Sequence, residues 1–134
     1  MSLQFNVLVI GGGIVGLSAA LAMAQRGYSV AVIDAGSLTI NNKPDSRVYA
    51  INAASQNLLH QLNAWQHLDK ERISSYNHMY VWDAESGAHI DFDSRYAGMQ
   101  SLGSIIEESV LKKALLQQAY AHSSIHLFPA RCAP

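Results

Sequence analysis

The sequence predicts an α/β fold built on a parallel β-sheet, and three observations support this prediction. An apolar run near the start of the chain leads directly into a glycine-rich turn, Gly11 to Gly16. A stretch rich in alanine and leucine follows, and a second apolar run, Val30 to Ile33, then ends on Asp34. Nearly continuous apolar runs are typical of parallel strands, which are covered on both faces. The order strand, helix, strand is the β-α-β start of such a parallel sheet.

The first half of the chain divides into elements at these runs. We predict strands over Phe5–Ile10 and Ser29–Ile33, joined by a helix over Ile14–Arg26. Residues Ala35–Arg47 are rich in Gly, Asn, Pro and Asp, which are turn formers, and therefore predict a loop.

The middle of the chain predicts a helix and then a β-hairpin. Apolar residues recur at helical spacing over Ile51–Leu62, where Asn52 or Ser55 can cap the N-terminus. His78–Asp83 and His89–Asp93 predict two strands, because a Glu-Ser-Gly turn separates them.

The last part of the chain predicts a helix and a final strand. The helix spans about Glu107 to His122, and its predicted buried stripe is Val110, Leu111, Ala114, Leu115 and Ala119. Ile125–Phe128 predicts a short strand, which a right-handed crossover would place parallel to the first two strands, in one sheet.

The glycines match the spacing G-x-G-x-x-G of dinucleotide-binding turns. Gly11 permits the tight turn, Gly13 lets a pyrophosphate approach the backbone, and Gly16 lets the helix pack against the sheet. The helix that begins at Ile14 and Val15 offers free N–H groups and the positive end of its dipole to a phosphate. We therefore predict a Rossmann-like site for FAD or NAD(P), which the glycines alone do not distinguish.

The acid that ends the second strand completes this predicted site. Asp34, followed by Ala35, stands where a carboxylate accepts hydrogen bonds from the ribose hydroxyls of a dinucleotide. A carboxylate repels a 2′-phosphate, so NADP is disfavoured at this position. The remaining interpretation, a glycine-rich turn without a ligand, leaves the order of strand, helix, strand and acid unexplained.

Composition excludes several classes of function. The chain has 134 residues, 49% of them hydrophobic, and a net charge of −1, which suits one domain and gives no basic field for nucleic acid. The single cysteine, Cys132, allows no disulfide within the chain and fits a reducing cytoplasm. We expect no metal site, because His60 and His67 lie two helical turns apart and a predicted helix end separates His122 from His126.

Three segments beyond the glycines are shared with a known family. They are Asp45–Asn52, Val81–Asp83 with Gly87 and Phe92-Asp93, and Leu102–Glu107 with the helix that follows. With these segments, the chain resembles the N-terminal part of the flavin-dependent aromatic hydroxylases of ubiquinone biosynthesis, within the para-hydroxybenzoate hydroxylase-like class. The resemblance covers nearly the whole chain, from Phe5 to about Phe128.

The resemblance implies a cofactor and a reaction. FAD would be reduced by NADH or NADPH, and one oxygen atom of O₂ would be transferred to an aromatic ring. Gly11, Gly13 and Gly16 would hold the pyrophosphate and Asp34 the ribose. Arg47 would lie along the cofactor near the pyrophosphate, and Glu107 would lie near FAD.

The resemblance also implies how the domain is organised. Residues 1–35 and 101–130 would form the core of the FAD-binding domain, and residues 36–100 an excursion from it. The family usually has Asn where this chain has Glu108. Its later Asp-Gly and Gly-Asp motifs and its substrate domain are not in this sequence, so we expect the chain to be incomplete and inactive alone.

Partners and location follow as expectations. The substrate would be a phenolic ring, and a polyprenyl tail on it would favour a site at the membrane surface of an otherwise cytoplasmic protein. Apolar surface left uncovered would favour self-association into a homo-oligomer. Two alternatives stay open: an amino-acid oxidase-like flavoenzyme, and a dinucleotide-binding module without catalysis.

Overall fold

The computed structural model describes residues 3–36, 38–40 and 42–130. In chain order its elements are β1 (Val7–Ile10), α1 (Ile14–Gln25), β2 (Val30–Asp34), β3 (Val48–Asn52), α2 (Ala53–Gln61), β4 (Ile73–Tyr76), β5 (His78–Trp82), β6 (His89–Asp93), β7 (Gly103–Glu107), α3 (Glu108–Ala121) and β8 (Ile125–Pro129). Short 3₁₀ turns lie at Trp65–His67, Lys70–Arg72 and Ser94–Ala97. Cys132, which was expected to form no disulfide, lies outside the described residues.

The predicted α/β fold with a parallel sheet is confirmed. Strand β2 lies between β1 and β8 and pairs in parallel with both, so the last strand joins the first two as predicted. In β2, Val30, Ala31 and Val32 are all buried, as the continuous apolar run indicated. The first strand begins at Val7 rather than Phe5, and the second extends to Asp34.

Helices α1 and α3 pack against each other and against the parallel sheet. From α1, Leu17 and Leu21 are fully buried, and they meet Leu111 and Leu115 of α3 in one hydrophobic core. The predicted stripe of α3 is confirmed, since Val110, Leu111, Ala114, Leu115 and Ala119 are all buried. This core holds the N-terminus of α1 at the carboxyl ends of β1 and β2.

A second sheet was not predicted from the sequence. Strands β3 and β4 pair antiparallel with the central strand β7. Ile51, predicted as helical, lies in β3, and α2 begins only at Ala53, where Asn52 caps it by accepting from Ser55 N at 2.9 Å. These strands join segments far apart in sequence, so their pairing leaves little local signal.

The predicted β-hairpin is confirmed as β5 and β6, which pair antiparallel with Val81 opposite Ile90. Gly87 closes its turn with a φ of +70°, a conformation that favours glycine. Helices long and apolar enough to cross a membrane are absent from the described part of the chain.

Candidate functional site

The glycine turn lies at the end of the parallel sheet and connects two of its strands. Gly11 has a φ of +106°, and its N–H donates to the Ile33 carbonyl at 2.7 Å, so the end of β1 is tied to the end of β2. A Cβ on Gly16 would lie 1.9 Å from the Gly11 carbonyl oxygen. The first turn of α1 therefore touches the glycine turn so closely that only glycine fits, as the motif predicted.

The N-terminus of α1 is open. Gly13 is its N-cap, with extended backbone, and no side chain caps the helix in the described structure. A Cβ placed on Gly13 would have no neighbour within 4 Å, and both Gly13 and Val15 are exposed. The first N–H groups of a helix have no partner inside it, so those of Gly13, Ile14 and Val15 face a space that an anion can occupy.

Asp34 closes the glycine turn from the side of β2. Its carboxylate accepts a short hydrogen bond from Gly12 N and a second from Gly36 N at 2.6 Å. The Gly12 N–H, and secondly the Gly36 N–H, lower the pKa of Asp34, which keeps the carboxylate ionised. An ionised carboxylate has about four acceptor positions, so it can still accept from a ribose hydroxyl.

Gly12 is a site residue that was not predicted from the sequence. It is buried, and a Cβ there would lie 2.3 Å from Leu38 Cδ2 and 3.2 Å from Asp34 Cβ. The residue occupies a variable position of G-x-G-x-x-G, so the motif assigns it no role. The signal was the run of three consecutive glycines, whose middle member, Gly12, brings its N–H to Asp34.

One open cavity adjoins the end of β2, and another lies at the start of α3. Ala35, one of the predicted site residues, is exposed and lines a cavity of about 460 Å³ together with Tyr120 and Pro129. A second cavity, of about 500 Å³, is lined by Asp45, Glu108, Ser109 and the lysines Lys112 and Lys113. After the N–H groups of Gly12 and Gly36, Lys112 contributes the smallest part of the lowering of the Asp34 pKa.

Arg47 lies in the loop before β3, and its side chain is 67% exposed. Its Nη1 lies 3.1 Å from Glu108 Oε2, and this carboxylate raises the pKa of Arg47 further above its ordinary value. The guanidinium is therefore available to an anionic ligand only in competition with Glu108. The role along a cofactor stays a prediction.

Glu107 ends β7, and the structure places it in an ion pair rather than alone. Arg72 donates from Nε to Glu107 Oε1 at 2.9 Å and from Nη2 to Oε2. The Asp45 N–H donates to the same Oε2 at 2.8 Å. Arg72, and secondly the Asp45 N–H, lower the pKa of Glu107. Arg72 was not predicted as a site residue, since nothing in its neighbourhood marks it as a partner of Glu107.

The predicted site residues thus form two clusters. Gly11, Gly13, Ile14, Val15, Gly16, Asp34 and Ala35 surround the N-terminus of α1. Arg47 and Glu107 make their hydrogen bonds and ion pairs with Asp45, Arg72 and Glu108, at the start of α3. In residues 3–36, 38–40 and 42–130 no cluster of three or more His, Cys, Asp or Glu is arranged to hold a metal ion.

Comparison with known proteins gives a family match over most of the chain. Residues 6–97 match the model of the DAO family, described as FAD dependent oxidoreductase. Over 125 residues the chain is 36% identical to 3-demethoxyubiquinol 3-hydroxylase of Escherichia coli, covering 91% of this chain and 32% of that protein. It is 33% identical to the human mitochondrial ubiquinone biosynthesis monooxygenase COQ6, covering 89% of this chain and 27% of that protein.

A solved structure supports the fold. The p-nitrophenol 4-monooxygenase PnpA from Pseudomonas putida matches with a TM-score of 0.67 at 17% identity, covering 95% of this chain and 32% of that one. The chain spans about a quarter to a third of the length of the curated relatives that it matches.

Proposed function

The chain belongs to the FAD dependent oxidoreductase family, and from that premise we propose that it is the FAD-binding portion of an aromatic-ring monooxygenase. The observation that carries the proposal is the open N-terminus of α1, which faces the ionised Asp34 across the glycine turn. An anion-binding helix end beside a ribose-binding acid is the arrangement that a dinucleotide requires.

The residues present fit FAD in three places. The N–H groups of Gly13, Ile14 and Val15 would bind the pyrophosphate, because no side chain of the described residues caps α1. Asp34 would accept from the adenosine ribose while its bonds to Gly12 and Gly36 hold it in place. Arg47 would add a charge-assisted bond to a phosphate oxygen. When bound, FAD supplies the redox chemistry, and the protein orients it.

The relatives suggest the reaction and the substrate class. One is named a 3-demethoxyubiquinol 3-hydroxylase and another a ubiquinone biosynthesis monooxygenase. We propose that the whole protein to which this chain contributes uses NADH or NADPH and O₂ to hydroxylate a phenolic ubiquinone precursor. A polyprenyl tail on such a substrate would place the protein at the cytoplasmic surface of a membrane. The division into core 1–35 and 101–130 and excursion 36–100 belongs to the same proposal.

Flavin retention tests the binding claim. The purified chain would be mixed with FAD, desalted and examined for the visible flavin band. We expect retention by the wild type and loss in Gly13→Val, whose side chain fills the space that the pyrophosphate needs. Since Gly13 has a φ of −76° and ψ of −176°, valine fits its backbone, and circular dichroism should be unchanged. A folded wild type without flavin would contradict the proposal.

A chimera tests the reaction class. This chain would replace the matching part of the E. coli 3-demethoxyubiquinol 3-hydroxylase, and hydroxylated product would be measured with ¹⁸O₂. We expect labelled product from the chimera and none from the same chimera with Gly13→Val. A chimera that binds FAD and releases hydrogen peroxide from an amino acid, without labelling a phenol, would instead support the oxidase alternative.

A further inference from the structure

Arg72 lies in the 3₁₀ turn Lys70–Arg72, directly before β4, and is remote in sequence from the predicted site. Both of its hydrogen bonds to Glu107 use the guanidinium fork, which makes the pair bidentate. The side chains are only 25% and 21% exposed, so the pair is largely shielded from water. A planar fork of this kind fixes both oxygens of a carboxylate in place, which a lysine does not do.

The fixed carboxylate in turn holds the loop that carries Arg47. Glu107 Oε2, the oxygen that pairs with Arg72 Nη2, also accepts from the Asp45 N–H at 2.8 Å. Asp45 Oδ1 accepts from the Arg47 N–H at 3.0 Å. The Arg47 carbonyl accepts from the Glu108 N–H at 2.9 Å. One path of hydrogen bonds therefore leads from Arg72 through Glu107 and Asp45 to the backbone of Arg47.

The pair also controls the charge beside the loop of Arg47. Glu107 is ionised near neutral pH with or without Arg72, and Arg72 lowers its pKa further. Without Arg72, this partly buried anion would stand beside the loop of Arg47 with no cation to balance it, and would draw the Arg47 guanidinium away from an anionic ligand. Arg72 neutralises Glu107, so that the Arg47 guanidinium can turn to a phosphate.

We propose that Arg72 is a positioning residue for FAD, which sets the Asp45–Arg47 loop through Glu107 so that Arg47 meets the pyrophosphate. This inference rests on the proposed function. It predicts that Arg72 affects FAD affinity without touching FAD, and that it does so only through Arg47. An ion pair that merely stabilised the antiparallel sheet would have neither effect once the protein is folded.

The experiment compares Arg72→Met and Arg72→Lys with the wild type in the full chain. Amide hydrogen exchange of Asp45 is compared with that of Val32 in buried β2, and the Kd for FAD is measured by titration. For Arg72→Met we expect faster Asp45 exchange and about tenfold weaker FAD binding, the scale of one charge-assisted contact. The Asp45 exchange rate and the Kd of Arg72→Lys should lie between those of the wild type and of Arg72→Met, because lysine keeps the charge and loses the planar guanidinium fork.

The chain offers a matched control. Arg95 on the hairpin side pairs through its guanidinium with both oxygens of Asp93, and its side chain is 84% exposed. Arg95→Met removes the same type of side chain from a pair outside the loop of Arg47. We expect it to change neither Asp45 exchange nor FAD affinity.

A double-mutant cycle with Arg47→Met decides whether Arg72 acts through Arg47. We expect the double variant to bind FAD as weakly as Arg47→Met alone, because the loop then presents nothing to the phosphate. Additive losses of FAD affinity in the double variant would overturn the role of Arg72. Wild-type FAD affinity in a folded Arg72→Met protein would also overturn it, and neither result would contradict FAD binding itself. A wild type that binds no FAD would overturn the proposed function, and the cofactor role of Arg72 with it.

Discussion

At the residue scale, the carboxylate at position 108 bears on the predicted role of Arg47. Glu108 holds the guanidinium of Arg47 at 3.1 Å, and it adds a negative charge where a phosphate is expected. The pair is largely exposed on the Arg47 side, so the attraction between the two side chains is screened and weak. If Arg47 binds FAD as predicted, Glu108 would compete with FAD for Arg47 without preventing FAD binding.

Replacing this carboxylate should strengthen FAD binding. We expect Glu108→Gln to lower the Kd for FAD about three- to tenfold, since it frees Arg47 and removes a charge that repels phosphate. Titration at low and at high salt measures the effect, which should shrink as salt rises. Glu85→Gln, at the exposed hairpin turn, removes the same charge at a distance and should leave the Kd unchanged. Weaker binding by Glu108→Gln would mean that Glu108 helps to place Arg47.

Gly16 is required because there is no room for a side chain at its position. Because a Cβ would lie 1.9 Å from the Gly11 carbonyl oxygen, Gly16→Ala must push α1 away from the turn. We expect a loss of roughly 1–3 kcal/mol in the free energy of unfolding, measured by urea titration. Gly13→Ala is the control, because its Cβ meets nothing within 4 Å. Equal stability of the two variants would contradict the close contact between Gly16 and the Gly11 carbonyl.

At the scale of elements, sequence patterns predicted some parts well and missed others for a common reason. Strands β1, β2 and β8 and helices α1 and α3 carry long periodic or continuous apolar runs, and the sequence located all of them within a few residues. Sheet β3-β7-β4 was missed because its strands pair across distances in sequence that no local pattern records. The sequence pattern begins the last helix at about Glu107, whereas Glu107 ends β7 and is the N-cap of α3.

The same contrast holds for the site. Residues whose role is backbone geometry, Gly11 and Gly16, were found from spacing alone, because only glycine meets those constraints. Arg72 was not found, because its partner Glu107 lies on a neighbouring strand of the sheet that the sequence did not predict.

The cap of α2 gives a prediction at this scale. Asn52 Oδ1 accepts from Ser55 N at 2.9 Å and satisfies one of the free N–H groups of the helix. Asn52→Ala should lower the free energy of unfolding by about 1 kcal/mol. Asn57→Ala, in the exposed interior of α2, should be neutral or slightly stabilising, because alanine favours helix. Chemical denaturation of both variants checks the difference, and equal losses would argue against the cap.

At the scale of the whole molecule, ionised acids hold backbone segments together. Asp34 accepts from Gly12 and Gly36, Glu107 from Arg72 and Asp45, and Asp93 from Arg95, and each of these bonds lowers the pKa of its carboxyl. The pKa of Asp93 falls to about 2. A carboxyl whose pKa is lower in the folded state stabilises the fold above its unfolded pKa and loses this effect as pH falls through the folded value.

Stability should therefore be constant near neutral pH and fall below about pH 4, the ordinary pKa of these carboxyls. The urea midpoint measured between about pH 7 and pH 3 checks this. Asp34→Asn should lower stability near neutrality and flatten the fall at acid pH, since its amide cannot titrate. If the urea midpoint of Asp34→Asn fell as steeply with pH as that of the wild type, Asp34 would contribute nothing to the acid sensitivity.

The surface of the parallel sheet predicts behaviour in solution. Among the described residues β1 pairs only with β2, and its side chains Leu8 and Ile10 are 58% and 83% exposed. An apolar strand at a sheet edge favours pairing between copies. We expect the chain to self-associate as concentration rises, and Leu8→Lys to shift gel-filtration profiles toward the monomer. Tyr96→Lys also replaces an exposed apolar side chain with a charged one, but away from the sheet. This control should not change the gel-filtration profile.

We expect FAD to bind at the N-terminus of α1, and amide chemical shifts followed by NMR during an FAD titration would test this residue by residue. We expect saturable shifts at Gly12, Gly13, Ile14 and Val15, with smaller shifts at Gly36 and Arg47. Amides of the hairpin, such as Val81 and Ile90, should not move. Shifts confined to the hairpin, or none at the glycine turn at saturating FAD, would contradict binding at this helix end.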